Sequence, residues 1–494
     1  MASLTALLVA ALVLIGPRGS GPGRAGGGTP GPRGAPATAT AVTVTWRAVR
    51  TIPAGFVGLS MELDGLTTAG GPIGPFDPVL AQLIRNLSPG ARPVLRIGGD
   101  STDWSWWPIR GVRPPPGLRY SLTPAWLREV RDLAQATDAR LIVGINLQSG
   151  SRRVAGTEAR EVVDGIGRRW ILGLEPGNEP ELYRTLPALT RSGTADNTGQ
   201  RFAAFARTYS RVTGGLPAVA LAGPSVGSDK WLPYLSRFLR AEPRVRLVTV
   251  HRYPLKHCGS GARNSVDGLL TGPASDGLAR SLRASVKAAH TSGRALRVDE
   301  INSVSCGGEA GVSDTFASAL WALNTLFAMA RVGVDGVNVH TRPYSLSQLF
   351  SLSRSGSVWR AVVRPVYYGL LTFALAAPAG SRLLRVSQPG TRGLHVWATR
   401  TPAGVVHVVL INETLRRRTV DVRLPVPATM SRTVLQASSL GASGGVTFGG
   451  QSFSPVTTTG VLAGAQRVGT AGRVKGALRV PVPPASAVMV SGRA

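Results

Sequence analysis

Two glutamates in this chain have surroundings suited to bond-breaking chemistry. Glu179 lies in Gly177-Asn178-Glu179-Pro180, and Glu300 lies in Asp299-Glu300-Ile301-Asn302. Two carboxyl groups facing each other across an anomeric carbon can cleave a glycosidic bond by double displacement. One protonates the leaving oxygen, the other attacks the carbon, and the two stand roughly 5–5.5 Å apart. In this reading Glu179 is the acid/base and Glu300 the nucleophile. The competing reading of either residue alone is an ion pair with one of the many arginines, and it leaves their similar settings unexplained. Both glutamates follow short apolar runs. So do Glu62, Asp100 in Gly98-Gly99-Asp100, Asn146, Glu175, Tyr253 in His251-Arg252-Tyr253, and Tyr344 in His340-Thr341-Arg342-Pro343-Tyr344. Of the chain's 11 glutamates, four (Glu62, Glu175, Glu179 and Glu300) fall at such ends. Polar groups at the rim of buried strands are costly unless pairing or function uses them.

The runs that carry these residues are Phe56–Leu63, Pro93–Gly99, Arg140–Asn146, Trp170–Leu174, Ala218–Gly223, Val245–His251, Leu296–Ile301 and Gly336–His340. Their nearly continuous apolar character suits strands buried on both faces. Helical patterns lie between them at Pro78–Leu87, Ala125–Ala136, Phe202–Thr213, Trp231–Leu239, Leu278–Ala289 and Asp314–Ala330. Thr123-Pro124 supplies a cap and first-turn proline for the second of these helices. Alternating strands and helices predict a parallel sheet. Eight strands over residues 51–378 predict a closed (β/α)8 TIM barrel rather than an open doubly wound sheet. No GxGxxG or P-loop follows the first run. Barrel active sites form at the C-terminal strand ends, where the polar residues above fall. After residue 378 the chain turns to short strands with Gly, Pro and Ser turns, which predicts an all-β sandwich over 379–494. Residues 41–50 alternate like a strand that joins it.

The Gly-Asn-Glu-Pro motif and the glutamate at the seventh run resemble those of clan A glycoside hydrolases. The longer strings LRIGGDSTDWSWW (95–107), ILGLEPGNEPELY (171–183), VTVHRYPL (248–255), RVDEINSVSCGG (297–308), GVSDTFASALWALNTLF (311–327) and VNVHTRPYSL (337–346) look like family 79, the β-glucuronidase and heparanase family. The resemblance extends over roughly residues 40–494. It implies retention of configuration, with Glu179 and Glu300 in the roles above, and a β-linked glucuronic acid or related sugar at the reacting centre. It further implies that Asn178 bonds the sugar 2-hydroxyl, that Tyr253 orients the nucleophile, and that Glu62 and Asp100 bind sugar hydroxyls. Plainer readings stand beside these roles. Asn178 could cap a loop, Tyr253 could be a buried tyrosine seeking a partner, and Glu62 and Asp100 could pair with Arg96 or another arginine. Trp104, with Trp106 and Trp107, could stack on a leaving-group sugar or pack under a loop. His251 reads as a structural residue of the barrel rim. Tyr344 fits the family's uronate-binding loop, but Pro343 removes one main-chain donor there. A neutral or methylated sugar is therefore the alternative substrate. The short loop after the first strand favours exo- over endo-action. An exported, non-catalytic carbohydrate-binding protein is a further reading, against which the presence of both glutamates argues.

The net charge is +30, yet only four of the 56 basic residues are lysine, as a compositional bias toward arginine would produce. Attraction to an acidic polysaccharide is the functional reading of that charge. No basic run is interleaved with aromatics, so nucleic acid is not the expected partner; a carbohydrate is. With no HExxH motif or clustered Cys/His set, neither metal nor other cofactor is expected. Residues 1–20 contain the apolar run SLTALLVAALVLI, a signal peptide or N-terminal anchor, and 21–40 form a Gly/Pro/Ala linker. A secreted protein is expected, held to a membrane only if that segment stays uncleaved. Cys258 and Cys306 fit an exported chain with one disulfide, while spacing alone leaves two free thiols open. The sequence leaves the oligomeric state open.

Overall fold

A computed structural model describes residues 39–66, 77–183, 198–258, 263–387, 389–424 and 429–493. The leader and most of the linker expected before residue 41 lie outside these residues. Ala39–Ala494 form one compact unit. Among the described residues no helix is long and apolar enough to cross a membrane.

Eight parallel strands close a barrel: β1 (Val57–Met61), β2 (Val94–Ile97), β3 (Arg140–Ile145), β4 (Ile171–Pro176), β5 (Leu221–Val226), β6 (Val245–Arg252), β7 (Ala295–Ile301) and β8 (Gly336–Thr341). The first and last meet in the register Val337↔Val57. A helix follows each strand, at Pro78–Asn86, Pro124–Thr137, Arg152–Ile166, Thr198–Thr213, Leu235–Ala241, Arg283–Thr291, Phe316–Val332 and Pro365–Ala376. The helix starts are set by local chemistry. Asp77 accepts from the amides of Val79 and Leu80, and the Thr123 hydroxyl accepts from Trp126 N ahead of a first-turn proline. The Trp126 indole then donates to Leu63 O at 2.8 Å, fastening its helix to the end of β1.

Two helices carry no clear signal in the sequence. Arg152–Ile166 mixes charged and small residues, and its buried face, from Val154 through Ala159 and Val162 to Ile166, includes Gly156 and Glu158. Pro365–Ala376 is apolar all round because it is covered on nearly every side. It packs on Phe316–Val332, and both abut the β-domain. Phe327 stacks on Trp397 at 5.4 Å, and the Trp397 indole donates to Asn324 Oδ1 at 3.0 Å.

The β-domain is a 10-stranded sheet that folds over until Thr429–Gln436 pairs with Ser486–Arg493, which closes it around its own core. Thr40–Thr51 is one of its strands, antiparallel to Arg382–Ser387 and parallel to Arg418–Arg423. The period-two pattern of strands serves two cores here. In Val405–Asn412, Val406, Val408 and Leu410 face the interior of the β-domain, while Val409 and Ile411 belong to the core shared with the barrel helices.

The loops after β6 and β7 run side by side, paired at Leu255 and Val304, and the Cys258–Cys306 disulfide joins them over a Cα–Cα distance of 6.0 Å. This bond closes a loop across 48 residues of chain. Cys306→Ser is expected to lower stability by up to about 4 kcal/mol on the chain-entropy argument, read from chemical denaturation. Uptake of an alkylating reagent by unreduced wild-type protein would contradict the bond.

Candidate active site

The barrel's interior is organised around Arg96, which β2 carries inward and which is fully buried. Its Nε donates to Glu175 Oε2 at 2.6 Å and lies 3.2 Å from Asp299 Oδ2. Its Nη1 donates to Glu300 Oε2 at 2.7 Å and Ser60 Oγ at 3.2 Å, and its Nη2 to Asn178 Oδ1 at 2.8 Å and Ser225 Oγ at 3.3 Å. Burial and the adjacent Glu175 push the Asp299 carboxyl well above its usual pKa range. Burial would raise Glu175 as well, but the Arg96 charge and a hydrogen bond from Asp299 bring it below its usual value.

Glu300, at the end of β7, also accepts a hydrogen bond from the Tyr253 hydroxyl at 2.9 Å. Burial alone would raise its pKa. His340, His251 and Arg96, together with the Tyr253 hydrogen bond, outweigh burial and hold the carboxyl well below the usual range. Glu300 is therefore an anion at any physiological pH, as a carboxylate nucleophile must be.

Glu179 enters the mouth from the turn after β4 with φ 43° and ψ 58°. A residue with a Cβ adopts this left-handed conformation at a cost of roughly 1–2 kcal/mol. Its amide is held by Ser225 O at 2.9 Å, and its carbonyl by Leu182 N at 2.8 Å. These bonds aim the carboxylate at Glu300. Oxygens of Glu179 and Glu300 and a nitrogen of His251 all lie within 4.8 Å of one another. That spacing agrees with double displacement and falls short of the roughly 6.5–9.5 Å that leaves room for an inverting water. The three groups could hold a cation only if Glu300 gave up its pairing with Arg96.

His251, read from the sequence as a structural rim residue, lies between the two carboxylates. Its Nδ1 is 3.0 Å from Glu179 Oε1 and 3.8 Å from Glu300 Oε2, and its Nε2 is 3.0 Å from Ser225 Oγ. Burial opposes a charge on the ring, but Glu300 and Glu179 overcome it and push the pKa up to about 9. The pattern His-x-Tyr at a strand end carries the signal, since Tyr253 reaches the same carboxylate.

On the far side of Glu300, Glu62 accepts from the Ser101 amide at 2.8 Å and from the Ser101 hydroxyl, and lies 3.5 Å from His340 Nε2. Arg96, the plainer partner considered for it, is occupied elsewhere. Gly99 has φ +125°, and a Cβ there would lie 2.6 Å from the Glu62 carboxylate, so this turn accepts only glycine. Asp100 turns its carboxylate toward Asn178 Nδ2 at 3.1 Å. Desolvation, and then the charges of Glu62, Glu300 and Glu179, push Asp100 up to about 6. Behind these residues Asp103, not singled out in the sequence, ties three loops together. It accepts from the amides of Leu147, Gln148 and Asn178 and from the Tyr183 hydroxyl at 2.5 Å.

Two expected sugar contacts stand apart from this cluster. Tyr344, expected beside a sugar carboxylate, is 90% exposed with φ +64°. The turn through Pro343 throws its ring outward, where it lines two rim cavities of about 310 and 670 Å³, one reaching Glu62 and the other Glu309. Trp104 is half-buried, between the guanidinium groups of Arg119 at 4.9 Å and Arg342 at 5.8 Å. Its faces are thus engaged by cations of the protein itself.

No family model matches the chain, and no curated protein matches it either. Solved structures with the same fold do. The chain is similar to a 4-O-α-L-rhamnosyl-β-D-glucuronidase from Fusarium oxysporum 12S, with a TM-score of 0.70 and 19% identity over 91% of this chain and 100% of that one. It is similar to the GH51 arabinofuranosidase from Xanthomonas axonopodis pv. citri, with a TM-score of 0.60 and 15% identity over 92% and 99% of the two chains. A GH30 endoxylanase from Clostridium papyrosolvens C71 gives a TM-score of 0.54 and 12% identity over 92% and 100%. At these identities the likeness is one of fold.

Asp100 gains a proton as pH falls through about 6, and it then loses its charge and presents an O–H donor beside its remaining acceptor sites. The kcat/KM profile should show an acid limb near that pH. Asp100→Asn should abolish the limb and lower kcat/KM about tenfold or more, in line with the loss of one charge-assisted hydrogen bond. An unaltered limb would exclude Asp100 as its source.

Proposed function

We propose that this protein is a retaining β-glycoside hydrolase, with Glu179 as acid/base and Glu300 as nucleophile. The observation that carries this reading is the pair of carboxylates within 4.8 Å across one barrel mouth, with His251 between them. The neighbours in fold, a glucuronidase, an arabinofuranosidase and an endoxylanase by name, support it. In the first step Glu300, kept ionised by Arg96 and the two histidines, attacks the anomeric carbon while Glu179 protonates the leaving oxygen. Glu179 is then left charged beside His251, which hydrogen-bonds its Oε1. In the second step Glu179 takes a proton from water, the water attacks the same carbon, and Glu300 leaves. In this reading Asn178 bonds the 2-hydroxyl, and Asp100 and Glu62 bond hydroxyls farther along the ring.

We read the substrate as a β-glucuronide and the action as exo. The resemblance to family 79 motifs and the glucuronidase among the structural neighbours support this. The exposed Tyr344 supports it less than expected. Arg342, from the same loop, places a guanidinium over Trp104 and offers the donors that Pro343 lacks. The disulfide and the apolar N-terminal run support export.

Glu300→Ala is expected to lose nearly all turnover. Glu179→Ala should fail mainly on poor leaving groups and be rescued by azide as the retained glycosyl azide. Proton NMR detecting the inverted anomer first would end the double-displacement reading. For substrate, kcat/KM for nitrophenyl glucuronide should exceed that for the glucoside by about tenfold to a hundredfold and hold at high salt, since local donors are screened less than long-range charge. A ratio near one would reject uronate specificity and leave the hydrolase reading standing.

A further inference from the structure

Glu181 lies two residues beyond Glu179, and neither the sequence motifs nor the reaction described above uses it. Its Oε1 accepts from the amides of both Gly227 and Ser228 at 2.5 Å, which ties the turn after β4 to the loop after β5. Its Oε2 is buried without a hydrogen-bond partner. Gly227 sits between the two carboxylates. A Cβ there would lie 2.5 Å from Glu179 Oε1 and 3.3 Å from Glu181 Oε1. Of the charged groups around them, Arg252 acts on both glutamates through its charge without a direct hydrogen bond to either. Arg252 donates to Gly227 O at 3.0 Å and pairs with Asp229, and Arg201 donates to the Glu181 carbonyl rather than its carboxylate. His251 bonds Glu179, and the Tyr183 hydroxyl is spent on Asp103.

We propose that Glu181 is a positioning residue for the acid/base: it locks the Gly227–Ser228 loop against Glu179, and its carboxylate places a second negative charge beside the proton donor. The proposal rests on the reading of Glu179 as that donor. Burial, and next the charge of Glu179, push Glu181 up to about 7. As pH rises through that value Glu181 becomes charged. That charge lies beside Glu179, so the pH at which Glu181 ionises marks a change in the field at the turn. The loop contact acts at every pH, because it fixes where the Glu179 carboxylate stands.

The test uses the full chain with Glu181→Ala and Glu181→Gln, and the nitrophenyl and dinitrophenyl glycosides of the sugar that wild type cleaves best. Dinitrophenolate leaves without needing a proton. Glu181→Ala should lower kcat/KM about tenfold or more on the nitrophenyl glycoside and little on the dinitrophenyl one, since general-acid assistance is worth about 10²–10⁴ in rate. Glutamine keeps an oxygen for the two amides, so Glu181→Gln should recover most of that loss. It should nevertheless remove the basic limb of the kcat/KM profile near pH 7, because the group that ionises there is gone. Equal losses on both glycosides, or a basic limb that stays in place in a Glu181→Gln protein with wild-type thermal melting, would overturn the proposal. Wild-type protein inert toward every glycoside in the panel would bring down the hydrolase reading itself, and this proposal with it.

Discussion

Arg96 is fully buried, and a guanidinium there is tolerated only if anions and acceptors replace the water it has lost. Much of the barrel interior follows from that demand. Partners come from β1 as Ser60, from β4 and its turn as Glu175 and Asn178, from β5 as Ser225, and from β7 as Asp299 and Glu300. Two of the carboxylates crowd one another, which pushes the Asp299 carboxyl above its usual range. The planar fork of the guanidinium then sets directions as well as charges. The branch that reaches Glu300 and the branch that reaches Asn178 leave the same carbon, so the Glu300 carboxylate and the Asn178 amide are placed by one rigid group.

Around this centre the rim is built from backbone that departs from ordinary strand geometry. Glu179 sits in the left-handed region, and Gly99 lets its turn close onto Glu62. Such positions cost energy and persist where neighbours over-determine them. Here the neighbours are Ser225 O for the Glu179 amide, Ser101 for Glu62, and Asp103 beneath the turns that follow β2, β3 and β4. The β-domain buttresses the barrel from outside. Its contact runs through two helices buried almost throughout, so it stabilises the scaffold without contributing any of the side chains described at the mouth.

The two central carboxylates differ in environment as their proposed roles require. Glu300 is nearly enclosed and faces Arg96, His251 and His340, which fix it as an anion. Glu179 retains 21% exposure of its side chain and meets one histidine, an arrangement open to a leaving group and to water. The same barrel carries proteins named for quite different sugars. Around the shared barrel, the rim of this chain carries Trp104, Arg342 and Tyr344, which differ in exposure and in partners.

The barrel was legible in the sequence because strands buried on both faces must be apolar along their length, and all eight such runs lie where strands form. The two glutamates were legible because a carboxylate at the end of such a run stands out against it. Helix Pro365–Ala376 was not, since complete burial erases the one-sided pattern by which a helix is recognised. Arg96 could have been noticed as a charge inside an apolar strand, but its partners could not be foreseen. Its bond to Glu300 spans 204 residues and exists only once the barrel has closed. His251 and Tyr344 show the same limit from opposite sides. Both belong to strand ends with suitable chemistry, yet His251 projects from the strand itself between the carboxylates, while the turn after β8 directs Tyr344 into solvent. Residue type and spacing determined which groups arrive at the mouth of the barrel. Closure of the barrel and the dihedral angles of its turns decided which of them meet, because an ion pair or hydrogen bond depends on distances of a few ångströms that residue order alone does not set.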